Sequence, residues 1–102
     1  MKKKSYKLAK LEKERFSILT DDLDHCIICK KPRENLHEVY FGKNRQLSMK
    51  YGCVLPLCYT CHISIHNKSA LDLIYKIKMQ NAFEKTYPEK NFIKIFGKNY
   101  KN

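Results

Sequence analysis

The sequence contains no tryptophan, only three glycines and three prolines, and ten acidic residues against 21 lysines and arginines. It also lacks internal repeats and low-complexity linkers, so its 102 residues are expected to form one small domain. No apolar run approaches the roughly 20 residues needed to span a bilayer, and the lysine-rich beginning lacks the apolar stretch of a signal peptide. We therefore expect a cytoplasmic protein without a membrane partner.

The excess of basic residues gives a formal net charge of +11 and a pI near 9.5. Such a charge favours an anionic partner, and nucleic acid is the leading candidate. Lysines that neutralise phosphates would bind without sequence preference and would lose affinity as salt is added. The alternative is a solvated basic surface that only aids solubility.

Two Cys-x-x-Cys pairs bracket the middle of the chain, Cys26 with Cys29 and Cys58 with Cys61. Four thiolates at two tight corners form a closed tetrahedral shell for zinc. Cytoplasmic cysteines are kept reduced, so these pairs are expected to bind metal rather than to form disulfides. The fifth cysteine, Cys53, is expected to be a small buried apolar residue.

The pattern of apolar and turn-forming residues predicts a small α+β domain. We expect a frayed basic arm at 1–15, a zinc-stapled ββα core at 16–68 and C-terminal helices at 69–102 that pack on the core. The expected elements are a short strand at 16–18, strands at 35–41 and 51–57 joined by a turn at 42–45, and helices that begin near Cys58, Ser69 and Pro88, the last of them ending at Gly97.

Two histidines, His62 and His66, are spaced four residues apart on the helix that follows the second cysteine pair. Side chains at this spacing lie on one helix face, so both imidazoles can bind one divalent ion. The third ligand is expected from the dipeptide His37-Glu38 on the first strand. Neighbouring strand residues point to opposite faces, and His37 shares the more apolar face, so it is our choice for the inward residue.

Each histidine also has a simpler interpretation. His62 could replace a cysteine in the zinc shell, although four cysteines make this unnecessary. His66 could be an ordinary surface histidine, and His25, beside Cys26 and several aspartates, is best interpreted as a solvated turn residue.

The segment around the second cysteine pair resembles the closing segment of zinc-stapled HNH, or ββα-metal, endonucleases. The matching residues are LPLC at 55–58, then Cys61, His62 and His66, and LHEVYFG at 36–42 is similar to the first strand of these enzymes. The resemblance is nearer to small HNH-like proteins of phages and prophages, through Asn44-Arg45, Lys50-Tyr51-Gly52 and FIKIFGKNY at 92–100. It covers roughly residues 16–100, and it would place the protein in the cytoplasm of a bacterial host.

This resemblance implies a DNA endonuclease with one catalytic divalent ion, Mg²⁺, Mn²⁺, Ni²⁺ or Zn²⁺, and a separate structural zinc. His62, His66 and His37 match the metal-binding histidines of the family. Glu38 matches the position at which most relatives have the histidine general base. Phage DNA processing or recombination is the biological setting that the resemblance implies.

Two residues depart from the family pattern. A free glutamate is a weaker base than histidine at neutral pH, so either burial strengthens Glu38 as the base, or His37 takes the proton and Glu38 helps to hold the metal. Cys53 stands where an asparagine commonly braces the loop, a task that would pass to Asn44 or Asn67. These departures leave a rival interpretation, an inactive zinc module that binds nucleic acid or serves as a protein-interaction adaptor.

The expected partner of the enzyme is the phosphate backbone of DNA. Arg45, with Lys43 and Lys50, lies in the segment between the two predicted strands and is the candidate for phosphate contacts. An exposed structural role for Arg45 is an equally good interpretation at this point.

Overall fold

The structure, a computed structural model, describes residues 6–67 and 69–101. The helices and strands follow in the order α1 (Tyr6–Lys13), β1 (Asn35–Glu38), a 3-10 helix (Gly42–Asn44), α2 (Arg45–Tyr51), β2 (Val54–Leu57), α3 (Tyr59–Asn67), α4 (Ser69–Thr86) and α5 (Phe92–Phe96). The predicted small α+β class is thereby confirmed. Among the described residues, no helix is both long enough and apolar enough to cross a membrane.

The strands β1 and β2 form an antiparallel pair in which His37 lies opposite Leu55. All four residues of β2 are buried, because the strand has neighbours on both edges. On its far edge, the amide of Ile27 donates to the carbonyl of Pro56 at 2.9 Å. The hairpin therefore holds the first cysteine pair close to the second, which follows β2 directly.

Both strands are shorter than predicted, and a helix, α2, replaces part of the expected turn and returning strand. β1 ends at Glu38 because the backbone of Tyr40 bonds to a side chain instead of a strand. The hydroxyl of Ser48 accepts from the Tyr40 amide at 3.1 Å and donates to the Tyr40 carbonyl at 2.7 Å. The prediction was wrong here because this bond joins residues eight positions apart, which no local pattern records.

The helix α2 ends at Gly52, whose φ of +77° favours glycine. The segment at 16–18 crosses over this glycine, and the amide of Ile18 donates to its carbonyl at 2.9 Å. A Cβ on Gly52 would lie 2.4 Å from Cε2 of Phe16. The segment does not form the predicted strand, because this crossing gives it one backbone bond rather than a ladder.

The C-terminal helices share one core with the hairpin, and Tyr40 joins the two. Its hydroxyl donates to the carbonyl of Lys76 in α4 at 2.6 Å, and its ring lies 4.7 Å from Phe96 and 5.2 Å from Phe92 in α5. Other fully buried members of the core include Cys53, Leu55, Met79 and Phe83. The hairpin is thus fixed relative to α4, which matters for the surroundings of His37.

The terminal elements differ in detail from their predictions. α1 occupies most of the described part of the predicted basic arm and contacts α2; residues 1–5 lie outside the described residues. The last helix begins at Phe92 rather than near Pro88, because the side chain of Asn91 caps it by accepting from the amide of Lys94 at 3.1 Å. It ends, as predicted, at Gly97, which has a φ of +82°.

Candidate metal centres

The first candidate centre is the four-cysteine cluster formed by Cys26, Cys29, Cys58 and Cys61. The first pair sits in a tight turn in which the Cys26 amide donates to the carbonyl of Lys31 at 2.7 Å. The second pair lies at the start of α3, where the Cys61 amide donates to the sulfur of Cys58 at 3.5 Å. Two separate turns therefore bring two thiols each to one point.

The geometry of the cluster fits a tetrahedral zinc ion. All four sulfurs lie within 4.8 Å of one another, and those of Cys29 and Cys58 are 3.4 Å apart. Zinc–sulfur bonds of about 2.3 Å in a tetrahedron separate the sulfurs by about 3.8 Å, which agrees with this cluster. The cluster is therefore suited to a structural metal such as zinc.

The acidities of the thiols also fit a cation site. Burial opposes ionisation of Cys26, but hydrogen bonds from the amides of Cys29, Cys58 and Ile28 outweigh it and lower the pKa of Cys26 to about 6. Burial and the neighbouring thiols raise the pKa of Cys61. Several thiolates this close repel one another, and a divalent cation is the natural way to stabilise all four.

The second candidate centre is a three-histidine cluster formed by His37, His62 and His66, which shares no residue with the first. β1 supplies His37, and one face of α3 supplies the other two. One nitrogen from each ring lies within 4.8 Å of the others, and the Nε2 atoms of His62 and His66 are 3.1 Å apart. The ring centroids are separated by 5.2 Å for His37–His62, 5.5 Å for His37–His66 and 4.7 Å for His62–His66.

The histidine cluster is buried at one end and open at the other. His37 is only 4% exposed, His62 is partly exposed and His66 is exposed. Burial, reinforced by the rings of His62 and His66, lowers the pKa of His37 to about 4. Burial and the His66 ring also lower the pKa of His62. The two inner imidazoles are therefore kept neutral at pH 7, the form that binds metal.

The donor set of this cluster fits a divalent transition ion. Nitrogens bound tetrahedrally at about 2.0 to 2.1 Å lie about 3.4 Å apart, close to the distance between His62 and His66. Three histidines would hold the ion and leave a fourth coordination position for water or substrate. Structural sites are closed, whereas sites with three ligands and an open position are typical of catalysis.

Glu38, the neighbour of His37, is not a member of the histidine cluster. Its Oε1 atom lies 2.9 Å from Nε of Arg45 and 3.5 Å from Nη1 of Arg15. Arg45 in turn contacts Oε2 of Glu12 in α1 at 2.5 Å. Glu38 thus joins β1 to α2, and Arg45 continues the link to α1. Arg45, a candidate for phosphate contacts, is engaged within the protein.

The other residues singled out from the sequence have separate positions. Lys43 and Lys50 are exposed, in the 3-10 helix and in the last turn of α2. Cys53 is fully buried, and burial raises the pKa of its thiol to about 12. Asn44 donates to the carbonyl of Phe96 at 3.0 Å and so ties the connecting segment to α5. His25 is exposed and pairs with Asp22 at 2.9 Å.

Sequence reasoning assigned no role at the site to three residues around the histidine cluster: Phe41, Asp72 and Lys76. The ring of Phe41 lies 6.2 Å from His37 and 6.2 Å from His66, and Nζ of Lys76 lies 4.4 Å from the Phe41 centroid. Asp72 pairs with Lys76 at 2.7 Å. The i, i+4 spacing of Asp72 and Lys76 indicates a helix ion pair, but nothing in it indicates that α4 lies beside β1.

Comparison with known proteins gives no match, either to a family model, to a curated protein or to a solved structure. Function must therefore be inferred from the two clusters and the residues around them.

Proposed function

We propose that this protein is a metal-dependent DNA endonuclease of the HNH type, which hydrolyses phosphodiester bonds. The observation that carries the proposal is the three-histidine cluster, with a nitrogen of each of His37, His62 and His66 within 4.8 Å of the others and one ring open to solvent. A purely structural zinc module has no need of a second group of ligands beside its four thiols. The histidine cluster is therefore best explained as a working site.

In this proposal the two centres have different tasks. The four thiols fill a tetrahedral shell and leave no position for a substrate, so zinc there stabilises the fold. We assign β1, β2 and α3 to the ββα-metal unit that the resemblance implies. The zinc ligands Cys58 and Cys61 flank the start of α3 and orient the helix that bears His62 and His66.

The chain's own residues have defined roles in the reaction. A divalent ion at the histidine cluster would polarise a phosphodiester and increase the acidity of a water molecule. His37, buried and with a pKa near 4, is better suited to coordination than to proton transfer at neutral pH. Glu38 holds Arg45 and Arg15 through Oε1, and we assign it to positioning these two guanidinium groups.

The charge of the protein supports DNA as the substrate. A net charge of +11 favours a polyanion, and the exposed Lys43 and Lys50 lie in the segment that joins β1 to β2. Contacts of this kind bind the phosphate backbone and position the strand without reading the bases. Binding should therefore weaken steeply as salt is added.

A plasmid-nicking assay with Mg²⁺, Mn²⁺, Ni²⁺ and Zn²⁺ tests the proposal. We expect wild-type protein to nick DNA with at least one ion, and His62→Ala and His66→Ala to reduce the rate at least a hundredfold, since each removes a ligand. His25→Ala is the matched control, because it removes an exposed imidazole outside the histidine cluster. Activity that survives in both helix variants would refute the assignment.

A second candidate is a zinc-containing module that binds nucleic acid without cutting it. The observation that favours it is the engagement of Glu38 by two arginines at the position where the resembling enzymes have a histidine base. This candidate predicts salt-sensitive DNA binding with no cleavage in any of the four metals. Nicking by wild-type protein that depends on His66 would exclude it.

A further inference from the structure

Phe41 is a large apolar side chain left half exposed at the rim of the histidine cluster. It is 50% exposed, while the preceding Tyr40 is 1% exposed and buried in the core. Its ring centroid lies 6.2 Å from those of both His37 and His66. The exposed part of the ring therefore borders the open end of the site.

The position of this ring is fixed by its surroundings. Nζ of Lys76 lies 4.4 Å from the ring centroid, a cation–π contact. Lys76 is itself held by Asp72 at 2.7 Å, and its side chain is only 14% exposed. On the backbone, Phe41 lies between the buried Tyr40 and Gly42, which has a φ of +69°. The ring is thus held in place although half of it meets water.

We propose that Phe41 stacks against an unpaired nucleobase, so that the site accepts single-stranded DNA in preference to duplex. This inference rests on the proposed function, because it names the form of DNA that the site takes. A base inside a duplex has both faces covered by its neighbours, whereas an unpaired base can stack on an aromatic side chain whatever its identity. Lys76, which is paired with Asp72, holds the ring in place for such a contact.

Three features of the site support this occupant over a purely structural role. Unlike Tyr40 and Phe96, which are 1% and 2% exposed, the Phe41 ring presents half of its surface to solvent. The exposed ring adjoins the proposed hydrolytic centre rather than a remote surface. The net charge of +11 favours a polyanionic ligand over an apolar protein partner.

The test is a fluorescence anisotropy titration with a labelled oligonucleotide, as a single strand and as a duplex, without added divalent ions so that no cleavage interferes. We expect wild-type protein to bind the single strand more tightly. Phe41→Ala and Phe41→Leu should weaken single-strand binding roughly tenfold and leave duplex binding within about twofold, since both lose the aromatic face. Phe41→Tyr should retain wild-type binding, because it keeps that face.

Tyr6→Ala is the matched control, since Tyr6 is an aromatic residue 84% exposed on α1, and both affinities should stay unchanged. A Co²⁺ titration of each variant reports on the histidine cluster. The inference is overturned if Phe41→Leu weakens the binding of both DNA forms equally, or the binding of neither. It is also overturned if Phe41→Leu abolishes Co²⁺ binding, because Phe41 would then be needed to keep the histidine cluster in place. Wild-type binding to duplex alone overturns this inference only, whereas binding to neither form overturns the proposed function as well.

Discussion

Removal of the metal from the four-cysteine cluster is predicted to unfold the protein. Domains of this size have a free energy of unfolding of about 5–15 kcal/mol. Structural zinc in small peptides contributes an apparent 10–16 kcal/mol or so at neutral pH. Since the contribution of the metal is comparable to the whole free energy of unfolding, the apo protein should be largely unfolded.

The position of the cluster in the fold supports this magnitude. Cys26 and Cys58 are 0% and 4% exposed and belong to the main core, so the metal would join the first cysteine turn to the start of α3. Without it, thiolates this close would repel one another. The histidine-bearing face of α3 would lose its orientation toward β1 at the same time.

The assay is a chelator titration at neutral pH under reducing conditions, followed by far-ultraviolet circular dichroism and by the fluorescence of the seven tyrosines. Helical signal should fall as zinc is withdrawn and return when zinc is added back. Cys29→Ser, which alters an exposed side chain, should produce the same loss, whereas Cys53→Ala, which alters a buried non-ligand, should retain one zinc per chain. A metal-free protein with an unchanged helical signal would refute the reasoning.

Three further substitutions test the packing of the fold. Gly52→Ala should lower the free energy of unfolding by about 2–5 kcal/mol, because alanine disfavours the left-handed φ and its Cβ would clash with Phe16. Gly97→Ala should lower it by only about 1–2 kcal/mol, because Gly97 shares the left-handed φ but has open space around it. Thermal unfolding of the zinc-loaded variants measures both, and equal losses would contradict the predicted clash. Glu38→Gln should lower the free energy of unfolding by about 1–2 kcal/mol, because it weakens the bonds from Arg45 and Arg15 to a carboxylate that is 11% exposed. A urea titration measures this loss. An unchanged midpoint would show that these ion pairs do not stabilise the fold.

The candidate ligands could be predicted from the sequence because their spacing is local. Two Cys-x-x-Cys turns determine which thiols can share an ion. The spacing of His62 and His66 puts both on one face of α3, and strand alternation selected His37 over Glu38 as the inward residue. Each of these rules depends on residues no more than four positions apart.

The surroundings of the site could not be predicted, because they depend on contacts between distant segments. Ser48 bonds to the backbone of Tyr40 and ends β1 early, Arg45 pairs with Glu12 from α1, and Lys76 of α4 covers Phe41. The local sequence pattern around each of these residues does not determine which distant segment it contacts in the fold. Their placement follows from how the helices pack on the hairpin.

The central claim, a second metal site independent of the thiols, is tested most directly by counting bound ions. Zinc-loaded protein titrated with Co²⁺ in a calorimeter should bind one further ion per chain. That binding should be lost in His62→Ala and His66→Ala, and retained in His25→Ala, while all variants keep their zinc. A wild-type protein that binds no second ion, or variants of His62 and His66 that bind it as well as wild type, would contradict the account.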